Sequence, residues 1–161
     1  MVTGEPVLFE LTGALPTGTT LLEASAGTGK TITIAGLVAR YLAEGVATID
    51  QLLVITFTRA ASQELRERVR GQLVEAERAL AAGVAEDPDN QVVALLLDCA
   101  DAERAVRRER LLDALAGFDH RADLVGRKGL RYGDKRHAAG QPARLALGCR
   151  DVFPHRSKPR D

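Results

Sequence analysis

Tryptophan is absent and aromatic residues make up only 4% of the sequence, so any core must be built from Leu, Val, Ile and Ala. No apolar run reaches the roughly 18 residues that a membrane-spanning helix needs. The stretch MVTGEPVLFE lacks a basic region followed by an apolar one, so a secretory signal is not expected there. Cysteine is scarce: Cys99 and Cys149 stand fifty residues apart, without metal-like spacing. A reduced, cytoplasmic protein is the plain expectation.

What is present suits a single domain: 161 residues, 45% of them apolar. The net charge of zero hides two unlike parts. Residues 1–119 carry 11 Lys and Arg against 18 Asp and Glu, whereas residues 120–161 carry 11 against 4. The later part holds all three histidines, His120, His137 and His155, and has no Glu, Ile or Thr. This break places an expected boundary at about residue 119, with 1–118 forming the ordered part. Residues 119–161 read as a basic tail without sustained periodicity, expected to be disordered loop.

Residues 23–31 read EASAGTGKT. Thr17 to Thr20 lead into Leu21 and Leu22, expected as a short strand running into this glycine loop. After the loop, Ile34, Leu37, Val38, Tyr41 and Leu42 recur at helical spacing from Lys30 to Ala43, and Gly45 suits the helix end. QLLVITF, residues 51–57, is a continuous apolar run expected as a parallel strand buried on both faces. Strand, helix and strand together make a βαβ unit. Thr58 is placed to cap a second helix whose inner face is Leu65, Val69, Leu73, Ala76 and Leu80, ended by Gly83 and the EDPDN turn. A further helix is expected from about Gln91 to Leu115, stopping at Gly117.

A glycine loop between a strand and a helix is where a polyphosphate is held. Gly27 and Gly29 permit a close backbone approach. The loop Ala24, Ser25, Ala26, Gly27, Thr28, Gly29, Lys30 and Thr31 would turn its amides inward, helped by the positive helix end. Lys30 would reach the outer phosphates of ATP or GTP, and the Thr31 hydroxyl would bind Mg²⁺. The bland alternative is a glycine-rich turn with no ligand. No catalytic residue and no protein-only metal site is expected. Asp98, at the end of the apolar stretch VVALLL, is the sole candidate for a metal-holding carboxylate, and its pattern fits a surface helix residue better.

The run Ala24-x-x-Gly27-x-Gly29-Lys30-Thr31 resembles the first motif of superfamily 1 helicases of the UvrD/RecB group, which accounts for Ala24 where the general loop begins with Gly. TFTRAASQELRERV, residues 56–69, resembles motif Ia of the same group. LLEASAGTGKT together with IDQLLVITFTRAASQELRERV is most similar to the RecB branch, the exodeoxyribonuclease V beta subunits. The resemblance runs from about residue 7 to 70, weakens through 71–118 and is absent after 119. It implies an α/β fold, the P-loop NTPase (RecA-like) parallel sheet with flanking helices, here truncated. It further implies ATP with Mg²⁺, movement along single-stranded DNA, helicase and nuclease roles in double-strand break repair and recombination, and partner subunits like RecC and RecD for the full-length protein. Carried over, Thr56, Phe57, Thr58 and Arg59 are the candidates for touching DNA. From the residues alone, Phe57 reads rather as core and Thr58 as a cap.

The family's Asp-Glu pair, its Thr/His motif, its γ-phosphate-sensing arginines and its later domains have no counterpart here. The economical expectation is that residues 119–161 are foreign to the family or out-of-frame, and that the chain at most binds ATP. Two competing readings stand beside this. One is a small-molecule kinase with Arg104, Arg107, Arg108 and Arg110 imitating a lid. The other is an inactive nucleotide-binding remnant. Two strands alone would leave such a sheet poorly covered, so marginal stability in isolation is expected.

Overall fold

The computed structural model describes residues 8–25, 27, 29–127 and 145–148, with side chains as far as Phe118. Helix α1 (Lys30–Ala43) has the bounds that its apolar spacing predicts. Its chain reverses at Gly45, whose φ of 74° is open to glycine without strain. Arg110 closes this end: its Nη1 donates to Ala43 O at 3.0 Å, placing a cation where the helix carbonyls converge.

A single 3₁₀ turn, Ile49–Gln51, leads into strand β1 (Leu52–Ile55). The strand is buried on one face only. Leu52 and Val54 pack on the core, whereas Leu53 and Ile55 are 49% and 55% exposed. The expectation of burial on both faces is thus corrected, because the helices cover one side of β1. The strand expected at Leu21 and Leu22 is also not formed. Both side chains are exposed, and without a ladder partner an extended segment has nothing to fix it.

Helix α2 (Arg59–Ala82) begins as expected at Thr58, whose hydroxyl accepts from Ala61 N at 3.0 Å. It buries Leu65, Val69, Leu73, Ala76 and Leu80, and ends at Gly83 with φ 73°. The next expected helix is in fact two, α3 (Gln91–Leu97) and α4 (Asp101–Arg127). Asn90 starts α3 by accepting from Val93 N at 3.2 Å, and its Nδ2 donates to Glu75 Oε1 at 2.8 Å on α2. Arg107 reaches back from α4 to donate to Leu96 O at 3.0 Å. A carbonyl orphaned by the end of α3 is thereby satisfied, so breaking the helix here costs little.

Gly117 does not stop α4. A Cβ there would lie 2.8 Å from Ile49 Cγ2, so this glycine allows close approach to the 3₁₀ turn. The helix continues past residue 119, across the shift in composition. Beyond it, Leu145–Gly148 forms strand β2, parallel to β1, with Leu52 opposite Leu145 and Ile55 opposite Gly148. The reading of this stretch as loop is corrected there, since LALG is apolar enough to pair with β1 yet too short to show a period. The remainder of the basic tail lies outside the described residues. Helices dominate, and this four-residue pair falls short of the parallel sheet expected from the P-loop resemblance.

The core forms where the helices meet: Val38 and Leu42 from α1, Leu73 and Leu80 from α2, Leu96 from α3 and Leu111 from α4. Burying one such Leu contributes about 1.5–3 kcal/mol. Residues 11–16 cross α1 on another side. Arg40 Nη1 donates to Leu11 O and Gly13 O at 2.8 and 2.6 Å, and the Tyr41 hydroxyl donates to Pro16 O. Burial pushes the Tyr41 hydroxyl above its ordinary titration range, with the neighbouring Arg40 guanidinium pulling it down more weakly.

Candidate nucleotide-binding cleft

Gly29 stands at the N-cap of α1 with φ 82° and ψ 19°, and no side chain caps the helix. Gly27 has φ 80°. A Cβ built at either would meet no atom within 4 Å. These two glycines are therefore required by backbone conformation, not by crowding within the chain, and the space in front of them is open. The first turn of α1 carries no acidic residue. An anion approaching the positive helix end thus meets no competing carboxylate on that turn. Thr33 anchors the base of the loop, its N and Oγ1 both donating to Gly29 O at 2.9 and 3.2 Å.

An open cleft of about 430 Å³ lies before this loop. Its lining brings Gly27, Gly29, Lys30 and Thr31 together with Thr56 and Phe57 from the end of β1. The two motifs that stand apart in sequence meet at this cleft, which α2 also lines through Ala61, Glu64 and Leu65. Lys30 and Thr31 are half-buried. Ala24 and Ser25 are exposed on the approach; Ala26 and Thr28 lie outside the described residues. Phe57 is 77% exposed, so it is not the core residue that its type suggests. Thr58 is the α2 cap, and Arg59 is exposed beside it.

The cleft also contains residues that pattern reading set aside. Glu64 and Arg68 line it from α2, 3.6 Å apart and both well exposed. Their spacing from Ala61, by three and then four residues, places all three on one helix face and could have identified them.

Asp98 is the exposed C-cap of α3, remote from this lining. The four arginines considered as a lid are tied elsewhere. Arg104 pairs with Asp101, Arg107 with Glu103, Arg108 with Glu77 at 2.7 Å, and Arg110 with Ala43 O. None of them lines the cleft. No cluster of His, Cys, Asp or Glu suited to a metal occurs among the described residues. No described helix is long and apolar enough to cross a membrane.

The profile of the UvrD/REP helicase N-terminal domain matches residues 10–105. The chain belongs to that family. Its match covers the glycine loop, β1, α2 and α3, so the residues of both walls of the cleft lie within the matched span. Among curated relatives, the RecBCD enzyme subunit RecB of Mycobacterium tuberculosis is 62% identical over 113 residues, which is 69% of this chain and 10% of that protein. The RecB subunit of Mycolicibacterium smegmatis is 57% identical over 114 residues, 70% of this chain and 10% of the relative. That of Escherichia coli is 41% identical over 114 residues, 63% and 9% respectively. The chain thus spans about a tenth of the length of the relatives it matches. Over this span it is similar to RecB subunits, and no finding favours the kinase reading.

Proposed function

We propose that this chain is the nucleotide-binding N-terminal part of a RecB-type DNA helicase subunit, and that the cleft before α1 holds ATP. The observation that carries the reading is the shared cleft: a glycine loop at a helix N-terminus and the end of β1 face the same space. The open approach to Gly27 and Gly29, the uncapped helix start and the half-buried Lys30 fit a polyphosphate in chemistry and in room. Bound ATP would supply a hydrolysable phosphoanhydride whose charge Mg²⁺ offsets. Residues 24–31 would cradle the phosphates with backbone amides, Lys30 would neutralise them and the Thr31 hydroxyl would hold Mg²⁺.

Thr56, Phe57, Thr58 and Arg59 form the other wall and the rim beyond it. Hydroxyls, a cation and an exposed ring suit the backbone and bases of single-stranded DNA. In this reading a nucleotide and a DNA strand are sensed at neighbouring walls of one cleft, an arrangement suited to a translocating motor. The complete subunit would carry helicase and nuclease activity with partners like RecC and RecD. In this reading the 161-residue chain alone binds ATP without turning it over, since the family's Asp-Glu pair has no counterpart in it and Asp98 does not line the cleft.

Equilibrium binding of a fluorescent ATP analogue to the whole chain, with and without Mg²⁺, tests this. Binding that needs Mg²⁺ and falls about tenfold to a hundredfold in Lys30→Ala is expected, the loss of one charge-assisted contact. No binding by the unsubstituted chain, or equal binding by Lys30→Ala, would overturn it. A phosphotransfer to a small metabolite would instead revive the kinase reading.

A further inference from the structure

Arg40 is the single buried charged residue among those described, at 5% exposure. It lies on α1, three turns beyond the glycine loop, and does not line the cleft. Its Nε donates to Glu44 Oε1 at 2.6 Å, while Nη1 donates to Leu11 O at 2.8 Å and to Gly13 O at 2.6 Å. Next to it, the Tyr41 hydroxyl donates to Pro16 O. Three carbonyls of the segment that leads into the loop are therefore held by two consecutive residues of the helix that leads out of it. Gly36 completes the seat, because a Cβ there would lie 2.9 Å from Leu11 Cδ2.

A buried guanidinium is costly unless its donors are used and its charge is paired. Here its charge is paired with Glu44 and its donors reach carbonyls, and what the Arg40 and Tyr41 contacts fix is backbone 25 to 29 residues upstream in sequence. Between Pro16 and Gly29 the chain has no strand to hold it, and Leu21 and Leu22 are exposed. The hydrogen bonds from Arg40 and Tyr41 to Leu11, Gly13 and Pro16 thus tie the start of this segment to α1.

We infer that Arg40, with Tyr41, is a positioning clamp for the nucleotide-binding loop: it pins the entering segment to the exit helix and so sets the geometry of residues 24–31 without touching the ligand. This rests on the nucleotide reading above for its functional consequence, and on the hydrogen bonds alone for the clamp. A loop that is correctly formed only part of the time binds more weakly in proportion to that fraction.

Hydrogen exchange on the whole chain without nucleotide, followed by ATP-analogue binding, separates the two. In Arg40→Met, exchange in residues 14–29 is expected to accelerate while α2 and residues 35–43 of α1 stay protected. ATP affinity then falls about tenfold, as for a loop competent a tenth of the time. Arg40→Lys, which keeps a cation able to reach one or two of the carbonyls, recovers part of both effects. Tyr41→Phe, which removes a single hydroxyl, gives a smaller acceleration confined near Pro16 and serves if Arg40→Met does not fold. Unchanged exchange in residues 14–29, or acceleration spread equally through α1 and α2, would overturn the clamp. Faster exchange with unaltered ATP affinity would overturn its positioning role. Absence of ATP binding by the unsubstituted chain, with the exchange pattern intact, would sink the nucleotide reading and leave the clamp standing.

Discussion

Two glycines, both in the middle of a helix, should respond to the same substitution with opposite signs. At Gly71 in α2 an added Cβ meets nothing within 4 Å and the position is exposed. Replacing a mid-helix glycine by alanine there should stabilise by about 0.5–1 kcal/mol, through higher helix propensity and a less flexible unfolded chain. At Gly36 in α1 the same gain is opposed. The new methyl would lie 2.9 Å from both Leu11 Cδ2 and Val92 Cγ2, well inside ordinary contact. Leu11 is half-buried and can swing aside. Val92 is 2% exposed and, being β-branched, is stiff at χ1, so α3 itself has to move. Overpacking of this kind costs about 1–3 kcal/mol, which exceeds the propensity gain. Gly36→Ala should therefore be destabilising by about 1 kcal/mol net, a gap of about 2 kcal/mol from Gly71→Ala. Thermal unfolding followed by circular dichroism would show this as a Tm difference of about 5–10 °C. If Gly36→Ala raises Tm as Gly71→Ala does, then Leu11 and Val92 do not meet on Gly36. The seating of residues 11–16 on α1 would have to be abandoned with them.

Three further outcomes follow from burial and titration. Leu73→Ala, at a fully buried position in α2, should lower the unfolding free energy by about 2–5 kcal/mol in urea titration, whereas Leu112→Ala, at 45% exposure, should cost well under half as much. Phe57→Ala should leave stability within about 0.5 kcal/mol, because the ring is 77% exposed, yet reduce affinity for single-stranded DNA in a fluorescence anisotropy assay. Burial raises the titration point of Tyr41 above that of an unfolded tyrosine, so the folded state holds its proton more tightly. The corresponding stability is complete below about pH 10 and is lost as pH rises through the folded value. Unfolding free energy should fall over that alkaline range, and Tyr41→Phe should flatten the fall; an unchanged slope would refute the assignment.

The sequence was most informative where a periodic pattern and a terminator coincide. Lys30 to Ala43 has apolar residues at helical spacing and Gly45 after them, and α1 has those bounds. Thr58 and Gly83 bracket α2 for the same reason. It was least informative where one residue type serves two physical purposes. Gly117 looks like a helix stop, but its lack of a side chain serves contact with Ile49. The stretch VVALLLDCAD has a helical period throughout, and nothing local reveals that Arg107 will satisfy Leu96 O and permit a break. Strand β1, LLVI, is apolar at every position, yet Leu53 and Ile55 face outward. A continuous apolar run records what a strand can tolerate on both faces and not which faces are covered. The glycine loop and the end of β1 were each legible alone. Their meeting in one cleft is a tertiary fact, and so is the reach of Arg40 to Leu11 and Gly13.

The geometry also bears on why an anion would settle at α1 when two helix N-termini open near the same cleft. Both α1 and α2 begin there, each with a positive end. At α2 the Thr58 hydroxyl accepts from Ala61 N, and the same residue's carbonyl takes bonds from Ser62 N and Ser62 Oγ at 2.9 and 3.0 Å. The first turn of α2 is thus closed by its own cap. At α1 the N-cap is Gly29, which has no side chain to offer and leaves the approach to the helix end unobstructed. Replacing Gly29 by serine would do two things at once: it would force a left-handed φ on a residue with a Cβ, and it would place a capping hydroxyl where a phosphate oxygen is needed. The first effect lowers stability and the second lowers affinity. Stability should thus fall by about 1–2 kcal/mol, while nucleotide binding should fall further than the population of folded chain accounts for. On the proposed function, the contrast between a capped α2 and an uncapped α1 would make one helix start a structural joint and the other a binding site.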